Sequence, residues 1–149
     1  MRPHKRADEG QGLVEFALVF PILVLVLLFL FDFGRAVFAY TTLDNAARAG
    51  IRVAIVDQSN ASSCLPTTRT YKCAAAEQTA GLGLAAGTIS DATISGSGCT
   101  GSSYNIGCDV TLQLTYSFSP ITPVVGSLVG PITVTTSATM KIERAYVSP

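Results

Sequence analysis

Apolar and polar positions follow three different rhythms along this chain, and each rhythm belongs to a different kind of element. From Phe16 to Phe31 there is no polar residue; the run FALVFPILVLVLLFLF is bounded by Glu15 and Asp32. A soluble helix would carry one apolar stripe, whereas here every face is apolar, as lipid or a bundle of apolar helices requires. At about 1.5 Å per residue the run makes roughly 24 Å of helix, and extending it to Gly12 and Phe33 gives about 33 Å, enough for the hydrocarbon core of a bilayer. Residues 11–33 are expected to form a membrane helix, which Pro21 kinks rather than ends.

The second rhythm begins beyond Phe33. Ala36, Tyr40, Leu43, Ala47, Ile51 and Ala54 succeed one another at spacings of three or four, a single apolar stripe. On another side Asp44, Arg48 and Arg52 are spaced by four, a solvated ladder worth a few tenths of a kcal/mol per pair. Gly34 and Gly50 each weaken helix by about 1 kcal/mol relative to Ala. Residues 34–56 are expected to continue the first helix in amphipathic form.

The third rhythm has a period of two. Val110, Leu112, Leu114, Tyr116 and Phe118 alternate with Thr111, Gln113, Thr115 and Ser117. Ile132, Val134, Ala138, Met140 and Ile142 alternate with Thr133, Thr135, Ser137, Thr139 and Lys141. Each segment reads as a strand with one apolar face, and the Pro- and Gly-rich connection between them is too long for a tight hairpin, giving an antiparallel pair with a broad loop. Between the helix and these strands the sequence predicts a polar loop from Asp57, a short helix over 74–86 and a short strand over 88–94. The amphipathic half of the helix is the available cover for the sheet. The fold class is α+β, a long N-terminal helix on a small antiparallel sheet, with residues 57–149 as a globular head.

Ten basic and ten acidic residues cancel, so no long-range field gathers nucleic acid. The leader over 1–10 carries Arg2, Lys5 and Arg6, against Arg35 alone in the fifteen residues after Phe31. That bias places the N-terminus in the cytoplasm and the head outside it. A rival reading takes Val37-Phe38-Ala39 as the cleavage site of a secretory signal peptide; the long apolar run and the charges of Asp32 and Arg35 before that site oppose it. Asn60-Ala61-Ser62 fits a glycosylation sequon, a short match that arises by chance.

The four cysteines form two equally spaced pairs, Cys64 with Cys73 and Cys99 with Cys108. Zinc prefers ligands two to four residues apart, and the single histidine is His4. Outside the cytoplasm disulfides are the default. Three pairings are open, and each local pair would close a small loop, worth somewhat under about 3 kcal/mol.

Glu15 interrupts the start of the greasy segment, where a macrodipole accounts for a helix-start carboxylate. Together with Gly10 it says more: Gly followed at the fifth position by Glu, after a basic leader, resembles the processing site of type IV prepilins. Further on, GQGLVEFALVFPILVL, DFGRAVFAY and LDNAARAGIR resemble the TadE-like family, minor pseudopilins of the tight-adherence (Tad/Flp) pilus system. Gly10, Glu15, Pro21, Asp32, Gly34, Arg35, Ala46, Ala47 and Arg48 carry the resemblance, which covers Gly10 to Arg52; Phe16 stands where prepilins of this system often have Tyr.

The resemblance implies a pilin-like subunit of a bacterial cytoplasmic membrane, cut after Gly10 by a prepilin peptidase to free Gln11. It implies other pilins and pseudopilins, the inner-membrane assembly platform and membrane lipid as partners, and a role in surface adherence. Beside it stands a second class, an anchored or secreted binding module outside any filament. No catalytic site is expected, because the head has no imidazole and its carboxylates, Asp57, Glu77, Asp91, Asp109 and Glu143, stand singly. The Gly-rich segment around Cys99 lacks the Lys and the helix of a phosphate loop, and no cofactor is expected.

Overall fold

A computed structural model of the chain describes residues 6–57, 62–64, 70–99, 106–122, 126–127 and 130–143. The leader's Arg2, His4 and Lys5, Asn60 and Ala61 of the sequon, Pro123, and residues 100–105 of the Gly-rich segment lie outside these.

Helix α1 spans Arg6–Ala54 and runs through Pro21. Its closing turn carries hydrogen bonds to Asp57, whose N–H donates to Val53 O at 2.8 Å, close to the expected end at Val56. Up to Phe31 its apolar side chains project outward, Leu13 and Phe31 at 72% and 69% exposure. From Ala39 onward it buries a face of small residues around Leu43 and Ile51.

That face differs from the expected stripe in one respect. Tyr40 is 54% exposed, and Ala39, 1% exposed, occupies the inward position instead. The reason is the closeness of packing: Ala39, Ala46, Ala47 and Gly50 are all buried, and a Tyr in that seam would hold the helix away from the sheet. Gly50 marks the nearest approach. A Cβ there would lie 2.5 Å from Leu112 Cδ2, 3.0 Å from Tyr71 O and 3.1 Å from the Ala75 Cβ, so a residue read as a helix weakness is where three elements meet.

Helix α2, Tyr71–Gln78, begins earlier than the 74–86 expectation and is shorter. Thr70 caps it, its hydroxyl accepting from the Cys73 N–H at 3.3 Å, the usual satisfaction of an orphan donor. It ends before Gly81, and a single 3-10 turn, Ala80–Leu82, leads to Gly83 at φ 71°, a left-handed conformation that Gly adopts without strain. The short strand is also smaller than expected. Ala86–Thr88 forms another 3-10 turn, and only Thr93–Ser95 pairs, as β1.

Strand β2, Asp109–Phe118, forms with the expected buried face, and β3, Ile132–Lys141, keeps the expected alternation, although Ile132 and Met140 at its two ends stay exposed. The sheet order is β1-β2-β3, antiparallel throughout. Val110, Leu112 and Leu114 meet Leu43, Ala47 and Ile51 of α1 and Tyr71 and Ala75 of α2 in one core. Thr136 joins the inner face of β3, buried opposite Leu114. Two disulfides staple the loops, Cys64–Cys73 and Cys99–Cys108. The fold is α+β, a long N-terminal helix packed on a small antiparallel sheet.

Candidate functional site

The N-terminal motif lies on an open stretch of α1. Among the described residues, nothing beyond the adjoining backbone of α1 approaches within 4 Å of where a Cβ of Gly10 or Gly12 would sit. Gln11 Nε2 donates to Glu15 Oε1 at 3.4 Å, one turn along the helix. Glu15 is exposed, flanked by Val14 and Phe16 at 65% and 64% exposure, so its carboxylate projects from an otherwise greasy surface. Phe16 stacks obliquely on Phe20, ring centroids 5.4 Å apart.

A second constellation forms where α1 leaves the apolar run. Asp32 is buried although it sits amid exposed phenylalanines. Its Oδ1 accepts from the Ile121 N–H at 3.1 Å, and its Oδ2 from the Thr122 N–H at 2.9 Å and the Thr122 hydroxyl at 2.5 Å. Arg35, one turn on, donates to Oδ1 at 3.3 Å, and its guanidinium lies 5.2 Å from the centre of the Phe118 ring, within cation–π reach. The carboxylate thus gathers the N–H groups of the turn that ends β2, and charge-assisted bonds of this kind are the strong ones. Sequence reasoning placed Asp32 and Arg35 at the junction without finding these partners, which lie about ninety positions downstream. The available signal was a carboxylate and a guanidinium three apart at the end of an apolar run, a pair that asks for a buried partner.

Gly34, also at this level, is exposed and unobstructed. Asp44 and Arg48 form the expected pair, Nε to Oδ2 at 2.9 Å, on the exposed face, and Arg52 is exposed further along. In the head, Lys72 Nζ lies 2.7 Å from Asp91 Oδ1. The Tyr71 hydroxyl donates to Asp91 at 3.3 Å and accepts from the Ala92 N–H at 3.3 Å. The hydrogen bond and charge of Lys72, helped by Tyr71, hold the Asp91 carboxyl below its ordinary 3.8 against a smaller opposing effect of desolvation. This cluster ties α2 to the segment that leads into β1. Among the described residues no three His, Cys, Asp or Glu gather as a metal site.

The motif at the start of α1 and the constellation at its middle fall within one stretch that matches a known family. Residues 10–52 match the TadE-like protein family. The match ends two positions short of the end of α1, so the TadE-like segment is the helix itself, with the exposed start, the Asp32–Arg35 junction and the small-residue seam. It supports a Tad pilus-associated component. No curated protein and no solved structure matches the chain. The TadE-like helix is also long and apolar enough to cross a membrane, as single-pass anchoring requires.

Proposed function

We propose that the protein is a minor pseudopilin of a Tad/Flp-type pilus, held in the cytoplasmic membrane by α1 with its head outside the cytoplasm, cut after Gly10 and then used in building the filament. The observation that carries this reading is the coincidence of the TadE-like match with α1, opening on Gly10 and Glu15. A peptidase needs locally extended backbone. Gly10 and Gly12 each weaken helix by about 1 kcal/mol relative to Ala, and among the described residues no side chain of the head stands over Gly10. The partners that follow are a prepilin peptidase, other pilins and pseudopilins, and the assembly platform of the inner membrane.

Mass spectrometry of the protein from its native host tests this reading. Gln11 is the expected mature N-terminus, and Gly10→Val is expected to leave the precursor intact. An N-terminus at Tyr40 would convert the reading to a secreted module. The packing opposes that cut: Ala39 is 1% exposed within α1, whose later turns supply the core of the head.

A further inference from the structure

The head is not apolar only where it is buried. At the end of the sheet nearest the anchor, Ile121 is 65% exposed and Ile132 is 42% exposed, beside Phe33 of α1 at 59%. Phe29, Phe33, Phe118, Pro120 and Ile132 line an apolar cleft of about 140 Å³ between helix and head. Beside Arg35, on α1, Leu27, Leu30, Phe31 and Phe38 line another open apolar cleft.

We propose that this rim of the head, Ile121 and Ile132 with Phe33, is a lipid-contacting surface seated in the membrane interface, so that the bilayer holds the head as well as the anchor. The proposal rests on the single-pass anchoring read from α1. Three observations choose lipid as the occupant. First, the rim adjoins the greasy surface of the anchor: Phe29 and Phe33, four apart on one face of α1, line a cleft together with Ile132, and both are exposed.

Second, its level is fixed. The Ile121 and Thr122 N–H groups bond directly to Asp32, so these residues sit beside that turn of α1. A bilayer core takes about 20 helical residues, and counting from Gly12 that length ends at Phe31. The rim therefore lies at the edge of the hydrocarbon. Third, the polar groups that meet at Asp32 turn inward. Asp32, the two N–H groups and the Thr122 hydroxyl satisfy one another, as a water-poor setting demands. Arg35 spends one N–H on Asp32 and keeps its side chain 39% exposed, placed to reach lipid phosphate while its stem stays in apolar surroundings.

The chain has no Trp, so single-Trp variants report cleanly. Full-length Ile121→Trp and Ile132→Trp, an anchor control Leu25→Trp and a sheet-face control Gln113→Trp are placed in phosphatidylcholine–phosphatidylglycerol vesicles, with and without lipids brominated high on the acyl chain or at its middle. Retention of both disulfides checks folding. The expected result is blue-shifted emission from the 121 and 132 variants, most of it lost to the high-brominated lipid. Leu25→Trp should respond to the mid-chain label and Gln113→Trp to neither. Rim emission like that of Gln113→Trp, with Leu25→Trp still quenched, overturns the proposal and leaves anchoring intact. Blue-shifted but unquenched rim emission also overturns it, since protein, such as a second copy, then covers the rim. No quenching of Leu25→Trp removes the anchoring reading and the proposal with it.

Discussion

Asp32 shows what one residue does when an apolar helix must hold a polar head. Its carboxylate is the acceptor for two backbone N–H groups and a hydroxyl of the turn after β2. Asp32→Asn replaces one acceptor oxygen by a donor and opposes like to like, so the turn should detach. Hydrogen exchange should find the Ile121 and Thr122 amides protected in the wild type and fast in the variant, while Asp44→Asn, which removes an exposed pair worth a few tenths of a kcal/mol, leaves them unchanged. Gly50 makes the opposite point about glycine in a helix. Propensity alone says that Ala would stabilise by about 1 kcal/mol, but the Cβ would meet Leu112 and the Tyr71 carbonyl, and overpacking of this kind costs about 1–3 kcal/mol. Gly50→Ala should therefore lower the denaturant midpoint, whereas Gly34→Ala, with open space around it, should raise it or leave it unchanged. Asp91 adds a pH signature. Its carboxyl titrates below 3.8 in the folded protein, so the Lys72 pair contributes stability above that pH and loses it as pH falls through the folded value. The stability difference between wild type and Asp91→Asn should be present at neutral pH and vanish in acid below that range.

At the scale of elements, the strongly periodic segments were legible because a single physical rule governed each. The inner faces of β2 and β3 follow from alternation, and the anchor follows from sixteen apolar residues in succession. The rest depended on contacts between elements. A period of three and four admits either Ala39 or Tyr40 on the inner face of α1, and only the closeness of the sheet decides for Ala39. Helix α2 begins at the Thr70 cap, a signal present in the sequence but hidden in a Thr-rich stretch, and it stops at Gln78, before Gly81 and Gly83. Strand β1 is short because only Thr93–Ser95 meets Thr111, Val110 and Asp109 of β2; apolar residues before it, such as Ile89, are buried without pairing. The local cysteine pairing, one of three that spacing left open, holds in the fold. Each closed loop is small, so the chain-entropy account gives somewhat under about 3 kcal/mol apiece. Replacing Cys99 and Cys108 together by Ser should lower unfolding stability by about 2–3 kcal/mol in non-reducing urea titrations, and non-reducing peptide mapping should recover the two local links.

For the whole molecule, the decisive question is whether α1 only anchors the head or also assembles it, and Glu15 separates the two. Glu15 is exposed on a helix surface that is otherwise apolar from Leu13 to Phe31. A carboxylate in that position is costly in an apolar bundle unless a cation reaches it. Cleavage after Gly10 would supply one, because the new amine of Gln11 would lie about one helical turn from the carboxylate, where the Gln11 side chain already bonds. Between neighbouring subunits the same pair would fix the axial register, since a subunit displaced along the filament would leave both charges unpaired in a low-dielectric core. If Glu15 merely starts a helix at the membrane surface, removing its charge changes little, as the macrodipole contributes only about 0.3–1 kcal/mol. Glu15→Gln and Glu15→Leu are therefore expected to insert normally, the Leu variant with a longer greasy run, yet to abolish or strongly reduce pilus assembly, read by filament recovery and surface adherence. Normal piliation by Glu15→Leu at wild-type protein levels would refute the register role and leave α1 an anchor that carries a head.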